Sequence, residues 1–226
     1  ALDGGHLIAW TGLVFSLALL MYAHFITMWY IFAMNLAFVL LLSRYKHRFW
    51  SWTAANALLM LLIAPMLQRA FAMHAEVQDI AYPWYPNPTW KTVLITFKNF
   101  FAGYGPKAWA YWPLFILALG LNAAAWKAWR TDRTALTLLT VLVWVPVLGC
   151  ALHWGFSDFS FYEHRLFIVS GAAAILLAGR GAALMGRRGL VLAAALAVFT
   201  IPCLADGYAG RLHPIPMHRL AMWDKV

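Results

Sequence analysis

Four ionisable side chains stand close together in the stretch SDFSFYEHRLFIVSG, residues 157–171, and they are the best candidates for chemistry in this chain. They are Asp158, Glu163, His164 and Arg165, and an apolar run begins directly after the arginine. The planar guanidinium group of arginine matches the geometry of phosphate, and a low-dielectric setting strengthens that pairing. Arg165 is therefore a candidate phosphate ligand, with His164 and Glu163 beside it. An arginine at the end of an apolar helix also serves as an interfacial anchor, so both interpretations stay open.

His24 is a second candidate ligand, because it interrupts an apolar stretch that runs from residue 7 to residue 42. A histidine at a break between two helices is commonly a structural residue that is held by hydrogen bonds. As a substrate ligand it would need partners from other loops. His74, His153 and Arg165 qualify as partners because the topology derived below places them on the same side of the membrane.

Cofactor chemistry is not indicated by the histidines and cysteines. His24 and His153 could form a bis-histidine haem site, but the sequence has no second membrane pair and no cysteine–histidine attachment motif. A zinc hydrolase motif such as HExxH is also missing, and Cys150 and Cys203 both fall in apolar runs. We therefore expect no metal and no other cofactor.

The composition is that of an integral membrane protein. Of the 226 residues, 64% are hydrophobic and 11% are charged, whereas a soluble domain carries roughly 25% charged residues. The formal net charge of +9 does not indicate a nucleic-acid partner, because the basic residues punctuate the apolar runs instead of forming one stripe.

The elements that position the candidate residues are predicted to be membrane-spanning helices. About 20 apolar residues are needed to cross a bilayer, so the apolar stretch 7–42 predicts two spans with a break near residues 22–25. The fold expected is an all-α, polytopic transmembrane bundle of about seven spans in a single domain, residues 1–226. The five further spans are predicted at residues 50–69, 108–129, 135–153, 161–179 and 190–205.

The basic residues predict the orientation of these spans. Three short loops, at residues 44–48, 127–133 and 180–188, carry arginine and lysine, and all three fall on one side of the predicted bundle. Positive charge in short loops marks the cytoplasmic side. We therefore expect the N-terminus inside, the C-terminus outside, and an outer tail over residues 207–226.

A long outer loop is predicted at residues 71–106. It contains AYPWYPNPTW, in which the prolines oppose a continuous helix while Trp84 and Tyr85 suit the headgroup layer. The following segment, residues 92–103, has apolar side chains at helical spacing, which predicts a short helix on the membrane surface. Lys91 and Lys98 are expected to meet lipid headgroups there.

These features resemble the carboxyl-terminal half of a GT-C class membrane glycosyltransferase. The segment LALLMYAHFITMWYIFAMNLAFVLLL, residues 17–42, resembles the LLYtHYf element of bacterial enzymes similar to protein O-mannosyltransferases and to the lipid A aminoarabinose transferase. A span with LLIAPML, an outer loop with NPTW and an amphipathic phenylalanine-rich segment follow in a similar order. FYEHRLFIVSG stands where the family often has Arg-Tyr, and here the pair is Arg165-Leu166.

The resemblance implies a glycosyltransferase of the bacterial cytoplasmic (inner) membrane whose donor is a sugar carried on polyprenyl phosphate. Under it, Arg165 contacts the lipid-linked phosphate beside His164 and Glu163, and His24 lines the same cavity at the outer face. The loop with Trp84 and Tyr85 covers the acceptor side. The family's catalytic carboxylate lies in the first outer loop of a longer chain, and no residue before Leu7 corresponds to it.

That difference leaves a second interpretation open, in which the chain is a non-catalytic accessory membrane subunit derived from such an enzyme. The first residue is Ala1, so we expect a processed product, a fragment or a part of a longer protein. The 13 tryptophans would offer contact area to other membrane subunits. In either interpretation the partners are a lipid-linked sugar or membrane lipids.

Overall fold

The protein is described by a computed structural model that covers residues 7–24, 26–77, 88–102, 108–155 and 167–208. These residues form helices and contain no strand, which confirms the all-α prediction for this part of the chain. Short 3₁₀ turns at Lys46–Arg48 and Trp126–Ala128 lie between helices. The helices are α1 (Leu7–Ala23), α2 (Thr27–Leu40), α3 (Leu42–Tyr45), α4 (Phe49–Val77), α5 (Trp90–Ala102), α6 (Ala108–Ala125), α7 (Trp129–Gly155), α8 (Ile168–Leu184) and α9 (Arg187–Tyr208).

Within the described residues, two helical stretches are long and apolar enough to cross a membrane, Leu42–Arg69 and Trp112–His153. Helices α1, α2 and α8 are apolar but shorter. Large apolar side chains lie on the outside, among them Trp50 at 79% and Leu61 at 72% exposure. Exposed apolar surface of this kind suits a lipid environment.

The second stretch is too long for one crossing. It has 42 residues, about twice the number that one bilayer crossing needs. The backbone leaves helical geometry inside it at Asp132, where φ is −116° and ψ is 29°. This kink lies between residues 129 and 135, where one predicted span ends and the next begins.

The break predicted near residues 22–25 is present between α1 and α2. The Ile26 N–H donates to Nδ1 of His24 at 3.2 Å, and the Thr27 N–H donates to the His24 carbonyl at 3.1 Å. The Thr27 hydroxyl donates to the Leu20 carbonyl at 2.9 Å. These bonds satisfy backbone groups that a helix leaves unpaired at its end, so the chain stops one helix and starts the next within a few residues.

The described residues pack as two compact units. Unit 1 contains residues up to Thr89 together with Val141–Leu166, and unit 2 contains Trp90–Thr140 together with Phe167 onward. The first twelve residues of α7 therefore belong to unit 2, and the remainder of that helix belongs to unit 1.

In unit 1, α1 and α2 both pack on α4 but run in opposite directions along it. Trp10 meets Trp52 edge-on at 6.0 Å between ring centroids, and the Tyr22 hydroxyl donates to the Leu62 carbonyl at 3.1 Å, so α1 runs parallel to α4. Phe38 stacks on the same Trp52 ring at 4.6 Å, at the far end of α2. The core between α1 and α4 is formed by Val14, Ala18, Met21, Leu59 and Ile63.

A polar network joins α2 to α4 inside unit 1. The Asn35 side-chain amide donates to the Asn56 side-chain oxygen at 3.0 Å, and the Trp52 indole donates to the Asn35 side-chain oxygen at 3.0 Å. The Asn56 amide in turn donates to the Trp52 carbonyl at 2.9 Å. Such interhelical bonds contribute about 0.6–2 kcal/mol each in membrane proteins, and they fix the register of the two helices.

In unit 2, α6 and α8 approach each other through small residues. Ala118 and Ala125 of α6 and Ala178 and Gly181 of α8 are buried. A Cβ added to Gly181 would overlap the Leu121 carbonyl oxygen and lie 3.1 Å from the Ala125 backbone nitrogen. Only glycine permits this backbone approach, which is the usual way in which helices associate where lipid removes the hydrophobic driving force.

The end of α8 differs from its prediction. The sixth span was expected to end at Gly179, but α8 continues to Leu184, so Arg180 lies inside the helix. The helix ends at Leu184, and the chain turns at Gly186, whose φ of 60° is a left-handed conformation that favours glycine. Gly189 then allows the first turn of α9 to pass close to the Ala182 carbonyl. The stop is set by this turn and not by the first charged residue.

Gly181→Ala should lower the free energy of unfolding of the purified protein by about 1–3 kcal/mol, because the new Cβ forces two backbones apart. Gly179→Ala is the matched control: it lies in the same helix and its Cβ would meet nothing within 4 Å. The control should be neutral or slightly stabilising, by up to about 1 kcal/mol, since alanine is the better helix former. Denaturant titration in detergent measures both, and equal values for the two variants would contradict the proposed close contact.

Candidate functional site

Most of the predicted site residues lie outside the described part of the chain. Glu163, His164 and Arg165 precede α8, and Trp84 and Tyr85 fall between α4 and α5, in segments that the structure does not describe. Their roles as phosphate and acceptor ligands stay predictions.

His24 is the one predicted site residue that is described, and it is exposed. Its Nδ1 accepts the Ile26 N–H and its carbonyl accepts the Thr27 N–H, so the residue holds the turn between α1 and α2. His24 therefore has the structural role, at a break between two helices, that was one of its two interpretations from the sequence. Because the side chain is also exposed, this role does not conflict with a place at the edge of a cavity.

A second histidine of unit 1 lies against an aromatic ring close to this turn. The Ile26 carbonyl accepts the Trp29 N–H at 3.0 Å, which puts Trp29 in the first turn of α2. The Trp29 ring lies directly over Gly149 of α7 and meets the ring of exposed His153 edge-on at 6.2 Å. Its indole nitrogen is buried and has no hydrogen-bond partner among the described residues. An aromatic ring with an imidazole at its edge is thus held beside the α1–α2 turn.

In unit 2, α5 carries polar groups into the packed interior. Val93, Phe97 and Phe101 are buried. Lys98 is buried as well, at 4% exposure, so the expectation that it meets lipid headgroups is wrong. The prediction failed because it placed every charged residue of an amphipathic helix on the solvent side, whereas tertiary packing covers this one.

The neighbour of Lys98 is also unusual. Both the side-chain oxygen and the side-chain nitrogen of Asn99 are buried and have no partner among the described residues. Thr96, by contrast, is buried but donates to the Thr92 carbonyl at 3.1 Å. An amide buried without partners costs free energy, and at a binding site it serves a ligand that donates and accepts hydrogen bonds, such as a sugar hydroxyl.

Lys98 and Asn99 were not among the site residues predicted from the sequence. The available signal was the segment TFKNFF, in which a lysine and an asparagine are enclosed by phenylalanines at helical spacing.

In the described ranges, no three His, Cys, Asp or Glu side chains come together in a way that could hold a metal ion.

No family model, no curated protein and no solved structure matches the chain.

The two lysines of α5 should differ in chemical accessibility. Lys91 is exposed and Lys98 is buried, so an amine-reactive reagent should modify Lys91 first. We expect a difference in rate of more than about tenfold, because a local opening free energy of about 1.4 kcal/mol is enough for that factor. Peptide mass spectrometry on the folded protein in detergent measures both rates. Comparable rates would show that Lys98 faces the surrounding medium, as the sequence alone suggested.

Proposed function

We propose that this chain is part of a membrane glycosyltransferase of the GT-C class, which moves a sugar from a polyprenyl-phosphate carrier to an acceptor at the outer membrane face. The proposal rests on the resemblance of residues 17–42 to the LLYtHYf element. It is supported by the geometry of that segment, because its histidine lies at the turn between two apolar helices that pack back along α4. A turn of this kind presents its polar residues at one end of the bundle.

Arg165 has the main chemical role in this proposal. Sugar transfer breaks the bond between the anomeric carbon and a phosphate oxygen, and it forms a bond from that carbon to the acceptor oxygen. Negative charge grows on the phosphate as it leaves, and a fixed guanidinium that donates hydrogen bonds to two of its oxygens stabilises that charge. The acceptor proton passes to a carboxylate, which the resemblance places in a loop before the residues matched here.

The buried polar groups of α5 give this proposal its best structural support. Lys98 and Asn99 follow the NPTW loop that covers the acceptor side under the resemblance. The side-chain amide of Asn99 is buried without a partner among the described residues, and such a group is retained most readily where a ligand uses it.

The proposal requires seven spans with the C-terminus outside, in the bacterial cytoplasmic membrane. Asp224→Cys should therefore react with an impermeant thiol reagent in intact cells. Arg187→Cys lies in a basic turn on the proposed inner side and should react only after the membrane is opened. The reverse pattern of labelling would overturn the topology and the outer-face site with it.

The substitution Arg165→Lys distinguishes between two roles of Arg165, phosphate ligand and lipid anchor. Lysine reaches the interface as well as arginine does, so an anchor should tolerate the change. A bidentate phosphate ligand loses its fork geometry, which should weaken binding by about 1–3 kcal/mol, or about 5- to 150-fold. The measurement is the affinity of the purified protein, or of its complex, for a polyprenyl-phosphate analogue.

The control for this experiment is Arg69→Lys, which makes the same chemical change at an exposed residue of α4 and should leave the affinity unchanged. Equal affinities of wild type and Arg165→Lys, or binding by neither, would remove Arg165 from the site. The accessory-subunit interpretation would then be the better one.

A further inference from the structure

Six basic side chains gather at one end of unit 2. They lie in the 3₁₀ turn after α6, the first turn of α7, the end of α8 and the start of α9. All six are exposed: Lys127, Arg130, Arg133, Arg180, Arg187 and Arg188. We call this set the basic cluster.

Three contacts bring these elements together although they are far apart in sequence. The backbone of Gly181 lies against Leu121 and Ala125, which places the end of α8 beside the end of α6. Arg180 forms an ion pair with Asp132, which attaches the first turn of α7 to α8. The left-handed Gly186 then reverses the chain, so that Arg187 and Arg188 begin α9 at the same end.

The charge of the cluster is largely uncompensated. Asp132 is the only acidic residue in residues 126–133 and 180–191, which form the cluster, and its carboxylate is engaged by Arg180. Arg133 lies over the Trp129 ring at 5.3 Å, and Trp129 stacks on Trp126 with ring centroids 4.8 Å apart. The remaining cations are held on ordered backbone at one end of the unit, where they can act on the same anionic surface.

The surroundings of the cluster decide what kind of anion it meets. Trp126, at 41% exposure, is next to Lys127, and Leu190, at 70%, comes two residues after Arg188. Leu184 and Val191 are also exposed. A nucleic acid or an acidic protein would meet the charges but leave this apolar surface in water. A lipid satisfies both, because its phosphate and its acyl chains are joined.

We propose that the basic cluster binds the headgroup phosphates of anionic phospholipids. Lys127, Arg130, Arg187 and Arg188 contact the phosphates, the stacked Trp126 and Trp129 lie at the level of the headgroups, and the Asp132–Arg180 pair braces α7 against α8. This proposal is independent of the sugar-transfer reaction. It requires only that this end of unit 2 lies at a membrane surface.

The test uses the full purified chain in a neutral detergent, titrated with mixed micelles that contain phosphatidylglycerol or phosphatidylcholine. Phosphatidylglycerol should bind more tightly than phosphatidylcholine. Arg187→Gln with Arg188→Gln should weaken phosphatidylglycerol binding by roughly 10- to 25-fold, at about fivefold for each charge. The control, Arg69→Gln, removes one exposed charge outside the cluster and should leave the affinity nearly unchanged, so the losses are compared per charge removed.

A further variant changes the affinity in the opposite direction. Asp132→Asn releases Arg180 and adds one positive charge to the cluster, so it should tighten phosphatidylglycerol binding severalfold. If either variant fails to fold, as judged by size-exclusion chromatography, Lys127→Gln with Arg130→Gln replaces it and should weaken binding like the first pair.

Equal losses per charge in the cluster variant and in the control would show that net charge alone is responsible, and this would overturn the proposal. It would also be overturned by equal affinity for the two lipids, by an Asp132→Asn variant that binds no more tightly, or by a short single-stranded RNA that displaces phosphatidylglycerol.

Discussion

The close approach of α6 and α8 is the contact on which unit 2 depends. In a lipid environment apolar side chains gain little by leaving their surroundings, so helices associate only where their surfaces fit closely. Gly181 provides that fit by leaving room for the carbonyl of Leu121. The direction of α8 follows from this contact, and so does the position of Arg180 next to Asp132. The packing of α5 on α8, where Phe100 meets Gly171, is built on the same helix.

Unit 1 is held together in a different way. Its α2 and α4 meet through Asn35, Asn56 and Trp52, which are large polar and aromatic side chains with directional bonds. Hydrogen bonds between side chains specify one register but tolerate a wider separation than a glycine contact does. Unit 1 can therefore accommodate bulky rings such as Trp10 and Phe38 around Trp52. The same chain thus uses two physical means of helix association, one in each unit.

The sequence was sufficient to predict the helices but not their contacts. Apolar runs and the polar break at His24 predicted the positions of α1 and α2, because helix formation and helix termination depend on neighbouring residues. The end of α8 was missed because it is decided by the turn at Gly186, which lies beyond the first charge. The burial of Lys98 was missed for a related reason: helical periodicity reports the average face of a helix, whereas burial depends on which other helices cover it. Arg165, the most informative residue in the sequence, lies in a segment outside the described residues, so its predicted role rests on residue type and position alone.

The stacked pair Trp126 and Trp129 has a spectroscopic consequence. Two indole rings at 4.8 Å with planes 19° apart are close enough for their electronic transitions to couple. Such coupling gives near-ultraviolet circular dichroism that depends on ring geometry, and Arg133 over the Trp129 ring adds a charge that shifts those transitions. The end of unit 2 where α6 meets α7 therefore carries an intrinsic optical reporter of its own conformation, which needs no attached label.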